Sequence, residues 1–161
     1  MGMQFAHVEY SISTRSLDLF VTGCYGSCQN CCNPEIKSFS LKGFEPSVVL
    51  TKVMQLDTKF GNLIDKVILV GGDFYDNYIT YKDEMTDFLI RLKQITPKPL
   101  FLFTRHELNE IPRELLELVD YVKTGAYIPE LTCDDNIQEG IKLATSNQCI
   151  YKVADILEKV C

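Results

Sequence analysis

The sequence predicts an α/β protein, a partial or open (β/α) barrel with a curved parallel sheet and a cysteine loop at the carboxyl end of its first strand. Three observations carry this expectation. Short, continuously apolar runs closed by turn residues recur along the chain, as buried parallel strands do. Helical patterns lie between them, and that alternation implies βαβ units with right-handed crossovers. The 161 residues supply about four such units, too few for a closed eight-stranded barrel, which usually takes ~250 residues. No repeat, low-complexity tract or linker interrupts the chain, so residues 1–161 are expected to form a single domain.

The first strand is LDLFVTG (17–23), the second KVILVGG (66–72), the third PLFLFT (99–104) and a shorter fourth DYVKTG (120–125). Residues 46–60 place Val49, Val53, Leu56 and Phe60 at helical spacing, with Pro46 suited to a first turn. Residues 82–95 set Met85, Phe88, Leu89 and Leu92 on one face, acids early and bases late, as the helix dipole favours. Residues 107–119 are expected to form a helix beginning near Pro112 after a short turn. In such sheets ligand sites gather outside the carboxyl ends of the strands. The cysteine run after the first strand and Gly71-Gly72-Asp73 after the second should therefore share one rim.

Composition narrows the function classes. Apolar residues at 46% and charged residues at 24% are ordinary for a soluble globular chain. A net charge of -6 gives no general attraction to phosphate backbones or anionic membranes. The opening MGMQFAHVEYSIS has neither a cationic start nor an apolar run, so no signal peptide is expected. No apolar stretch approaches the ~20 residues that span a bilayer. The expected location is cytoplasmic, where thiols stay reduced, and seven cysteines there point to metal ligation or reactivity rather than disulfides.

Cys24, Cys28 and Cys31 have the spacing C-x3-C-x2-C in the run TGCYGSCQNCCNPE. Three thiolates on a short loop can hold three corners of a [4Fe-4S] cube. Such clusters usually take four cysteines, so a three-cysteine site leaves one iron open to a small molecule. A structural zinc site normally uses four ligands in paired knuckles, and no second C-x2-C is present. His7 and His106 show no ligand spacing with the loop or with each other.

The cysteine spacing matches the motif of radical S-adenosylmethionine enzymes. With Asn33-Pro34-Glu35 behind it, the chain resembles the anaerobic ribonucleoside-triphosphate reductase-activating proteins, a group of glycyl-radical activases. LFVTGC (19–24) is similar to the strand leading into that group's cluster loop, LVGGD (69–73) to its S-adenosylmethionine-binding glycine motif, and FTRHEL (103–108) to its third strand end. TGAYIPEL (124–131) and TSNQCIYKV (145–153) resemble its C-terminal segment. The resemblance implies a [4Fe-4S] cluster on Cys24, Cys28 and Cys31, with S-adenosyl-L-methionine bound at the unique iron. It implies reductive cleavage of that cosubstrate and a glycyl radical installed on the reductase large chain, with electrons from a donor such as flavodoxin or ferredoxin. The cofactor would supply the radical chemistry and the protein the ligation, orientation and shielding.

The same resemblance gives cosubstrate-binding roles to Gly71, Gly72, Asp73 and Asn147. The glycines, lacking Cβ, let backbone approach a ligand. Asp73 is placed to accept from the cosubstrate ammonium, directly or through water, where many relatives have glutamate. Asn147 and Gln148 can hydrogen-bond adenine or ribose, and a loop-capping role is equally open to them. The chain departs from the group before its first strand, where Ser11-Ile12-Ser13-Thr14 precede Arg15 in place of a glycine-proline-glycine turn. Arg15 is expected to be a surface residue, Cys32 a small packing residue or an alternative ligand in place of Cys31, and Tyr25 and Phe39 packing residues beside the loop.

Other readings of the loop remain open on sequence grounds. One is a radical enzyme acting on another peptide or a small molecule. Another is a non-enzymatic zinc or iron–sulfur binding module. A thiol–disulfide oxidoreductase using Cys28/Cys31 or Cys31/Cys32 is a third, though it leaves the additional ligand spacing unexplained.

Overall fold

The computed structural model describes residues 2–27, 31 and 34–158. Its frame is a six-stranded sheet in the order β1-β2-β3-β4-β5-β8. The four central strands are β2 (Ser16–Val21), β3 (Lys66–Gly71), β4 (Leu100–Phe103) and β5 (Tyr121–Thr124), each parallel to the next. These are the four runs expected from the sequence, each trimmed at its turn end. The flanking strands β1 (Phe5–Ser11) and β8 (Cys149–Lys152) are antiparallel to their neighbours and were not expected. β1 carries His7, Glu9 and Tyr10 at half-buried or exposed positions, so its apolar signal is broken.

Both faces of the central strands are covered, which is why they read as continuous apolar runs. Val67 and Leu69 of β3 join Leu100, Leu102 and Val122 in the main core. Residues from all five helices pack there: α1 (Pro46–Phe60), α2 (Phe74–Thr80), α3 (Lys82–Ile95), α4 (Arg113–Leu116) and α5 (Val153–Glu158). Ile68 and Phe101 belong instead to a second cluster with Ile150 and with Ile141 and Leu143 of the C-terminal segment. That segment carries a small hairpin, β6 (Ile137–Gln138) and β7 (Ile141–Lys142).

The helices show which local signals hold in the folded chain. α3 keeps its expected bounds, and Met85, Phe88, Leu89 and Leu92 are all buried. α1 also keeps its bounds with Pro46 in its first turn, but buries Val49, Leu50 and Val53. Phe60 departs from expectation. It is exposed and lines an apolar hollow with Tyr10, Leu56 and Leu63.

Over 107–119 the chain forms the expected short turn, a 3-10 turn (Leu108–Glu110), and then the expected helix beginning at Pro112, which is shorter than the segment allows at four residues, α4. Pro112 divides them, because it has no N–H to donate and holds Ile111 in an extended conformation. No helix among the described residues is long and apolar enough to cross a membrane.

Candidate metal centre

Four strand ends meet at one rim, and hydrogen bonds from backbone and side chain join each to the next. Gly72 N–H donates to Val21 O at 2.7 Å, and Asp73 N–H to Gly23 O at 2.8 Å. Thr104 N–H donates to Lys123 O at 3.0 Å, and Gly125 N–H to His106 O at 3.2 Å. Asp73 supplies the link between the second and third ends, accepting Arg105 N–H at 2.9 Å and the Thr104 hydroxyl at 2.9 Å. Asn77, wholly buried in α2, donates to Thr22 O, Gly23 O and Asp73 O, locking the start of the cysteine loop to the β3 turn.

A cavity of about 290 Å³ opens on this rim. Cys24 and Cys31 line it, together with Gly71, Gly72 and Asp73. Phe103, Tyr127 and Leu143 add apolar wall, and Gln148 a polar one. Both cysteines are half-buried free thiols. Cys28 and Cys32 lie outside the described residues, as does Asn33. The structure therefore brings two of the three expected ligands and the glycine turn to one cavity.

The glycines have a reason beyond ligand approach. Gly71 has φ +108°, the left-handed region that glycine tolerates without strain. A Cβ on Gly72 would stand 2.3 Å from Gly23 O. The β3 turn and the cysteine loop thus touch backbone to backbone, and the glycine pair is required by the protein's own packing.

Asp73 is likewise committed within the protein. It is the N-cap of α2, accepting Tyr75 N–H at 2.9 Å and Asp76 N–H at 3.1 Å besides Thr104 and Arg105. Only 2% of it is exposed. Burial pushes its carboxyl above the ordinary range against those donors, and the Asp76 charge adds to the rise. Asn147 holds a loop: its Nδ2 donates to Ala126 O at 3.0 Å, and its Oδ1 accepts the Thr145 hydroxyl at 2.6 Å. It is Gln148, the neighbouring amide, that lines the cavity.

Arg15 sits at the opposite, amino end of the sheet, bonded to Asp65 and to Asn62 O. The Tyr25 ring packs on Phe39 with centroids 4.6 Å apart, and Phe39 fills the space beside Gly23.

Sequence reasoning missed the polar group behind Cys24. Asp76, 1% exposed, accepts Tyr25 N–H at 2.8 Å from the cysteine loop. Its oxygens also take the Arg105 guanidinium at 3.1 Å and face His106 Nε2 at 2.8 Å. His106 Nδ1 faces Glu110 at 2.9 Å. The signal available was Asp76 three residues after Asp73 and Arg105-His106 after a strand, all at carboxyl ends of strands. Cys24 Sγ and carboxylate oxygens of Asp73 and Asp76 lie within 4.8 Å of one another. Burial pushes the Cys24 thiol up; the Gly26 N–H and Arg105 oppose this, and both carboxylates reinforce it.

Soft sulfur donors on an irregular loop, half open to a cavity and backed by hydrogen-bond donors, fit an iron–sulfur cluster, whose ligands must be thiolates. The fold and this donor set define an iron–sulfur protein. The sequence model of the 4Fe-4S single cluster domain matches residues 14–150, and the chain belongs to that family. No curated protein matches the chain in sequence.

Proposed function

We propose that the protein is a radical S-adenosylmethionine activase that installs a glycyl radical on an anaerobic ribonucleoside-triphosphate reductase. One observation carries this reading. The cavity that receives Cys24 and Cys31 extends over Gly71-Gly72 to Gln148, leaving space for a small molecule beside the cluster ligands. A cluster serving electron transfer alone needs no such space. We read the six-stranded sheet as the partial (β/α) barrel of that superfamily, with Cys24, Cys28 and Cys31 as the ligands.

Held by Cys24, Cys28 and Cys31, a cluster would supply the single electron for reductive cleavage of S-adenosylmethionine, the chemistry from which hydrogen abstraction at a backbone glycine would follow. The chain's own part is orientation and shielding. The β3 turn sets the cavity floor against the cysteine loop through the Gly72–Val21 and Asp73–Gly23 hydrogen bonds. Phe103, Tyr127 and Leu143 keep water from one side. Asp73 holds the floor through its α2 cap and its bonds to the third strand end, so any contribution to the cosubstrate ammonium passes through water or backbone. Gln148 already takes Ala144 N–H and Thr145 N–H on its Oε1, and this fixes its amide at the cavity wall.

The test is product formation. The anaerobically reconstituted protein, reduced with dithionite, should convert S-adenosylmethionine to 5′-deoxyadenosine, seen by chromatography. With the reductase large chain present, a glycyl-radical doublet should appear by electron paramagnetic resonance. A protein with intact cluster that forms no 5′-deoxyadenosine contradicts the reading.

A further inference from the structure

Arg105 follows β4 and is held from two directions. Its backbone N–H bonds Asp73, and its outer guanidinium nitrogen bonds both oxygens of Asp76 at 3.1 and 3.3 Å. Asp76 is itself fixed by Tyr25 N–H and by His106, which Glu110 faces from its other side. The guanidinium therefore has one orientation. Its Nε is buried and has no hydrogen-bond partner. A buried donor left unpaired is costly, so a partner belongs there.

The position of that partner can be read from Gly26. A Cβ on Gly26 would stand 2.5 Å from Arg105 Nε and 3.2 Å from Cys24 Sγ. The nitrogen and the sulfur thus both close on Gly26, which leaves no room there even for a methyl group. Gly26 N–H already donates to Cys24 Sγ at 3.2 Å. Two carboxylates also lie within 4.8 Å of that sulfur. A thiolate ligand there needs a positive, donating neighbour.

We propose that Arg105 is a positioning residue of the cluster: its buried Nε–H donates to the Cys24 sulfur when that sulfur is a thiolate ligand. N–H···S hydrogen bonds and nearby positive charge favour the reduced, more negative cluster, so Arg105 raises the reduction potential. The Asp76–His106–Glu110 chain keeps the donor aimed. The inference rests on Cys24 as a cluster ligand and is independent of what the cluster acts on.

The decisive experiment uses the full chain with 15N-labelled arginine, reconstituted and reduced anaerobically without S-adenosylmethionine. Pulsed electron paramagnetic resonance should find a 15N coupling to the reduced cluster, lost in Arg105→Lys. Arg15, Arg91 and Arg113 are bonded to carboxylates elsewhere, on Asp65, Asp87 and Glu117, so the coupling reports Arg105. At equal iron and sulfide content, the midpoint potential of Arg105→Lys should be more negative than that of the wild type. A wild-type cluster without arginine coupling overturns the inference alone, as does an unchanged midpoint in a fully loaded Arg105→Lys. A wild-type chain that takes up no cluster overturns the ligand assignment and this inference together.

Discussion

Gly72 and Asn77 do at the scale of single residues what holds the site in shape. A methyl group on Gly72 meets Gly23 O at 2.3 Å, and backbone cannot move aside as a side chain can. Gly72→Ala is expected to lose about 2 kcal/mol, in the range of overpacked cores, and to lower iron uptake at equal protein concentration. Melting curves and iron assays check both. A variant that melts and loads like the wild type would show that the two loops can separate freely.

Asp18 offers a pH test away from the cysteines. Burial is the main cause raising its carboxyl above the ordinary 3.8, against the Ser16 hydroxyl bond. The folded state then holds a proton that the unfolded chain releases, so the contribution of Asp18 to stability is greatest below 3.8 and is lost as pH rises through the folded value. Melting temperatures of wild type and Asp18→Asn should diverge in favour of the variant as pH rises from 3 to 7 (about four units of pH). A constant difference would contradict the assignment.

At the scale of elements, α3 is a core helix, with Met85, Phe88, Leu89 and Leu92 buried, and α2 the one that builds the site. Phe88 is 1% exposed and its ring lies 4.9 Å from that of Phe5 on β1, so Phe88→Ala should cost about 3–5 kcal/mol by chemical denaturation. A loss below about 1 kcal/mol, smaller than core truncations give, would mean that α3 is not a core helix. α3 was legible in the sequence because 14 residues give four turns of pattern. α2 was not, because seven residues starting inside a glycine turn give too little period. Its marker was Asp73 as N-cap, a residue read for its charge toward a ligand and not for its bond to the next helix.

The same shortness hid β6 and β7. Pro112 was legible as the start of the helix after a short turn, whereas the early end of α4 at Leu116 carried no such marker. The cysteine spacing and Gly71-Gly72 were legible because chemistry and turn geometry restrict residue type there. The Asp76–Arg105–His106 group was not, since its members lie 29 and 30 residues apart and only the parallel register of β3 with β4 brings them together.

At the scale of the whole molecule, the described residues form a largely parallel sheet with helices packed on one face, a C-terminal hairpin segment on the other, and the candidate site on one rim. That arrangement places Cys24, Cys31 and the glycine turn around a shared cavity without any element outside residues 14–150, the span that the family model matches. The central claim is a three-cysteine cluster whose open iron faces this cavity. It is tested most directly by electron paramagnetic resonance of the reduced, reconstituted protein with and without S-adenosylmethionine, for wild type and Cys31→Ala. The expected result is a [4Fe-4S]+ signal that shifts when the cosubstrate is added and is lost in the variant. A signal that ignores the cosubstrate, or survives in Cys31→Ala unchanged, would contradict the open-iron site.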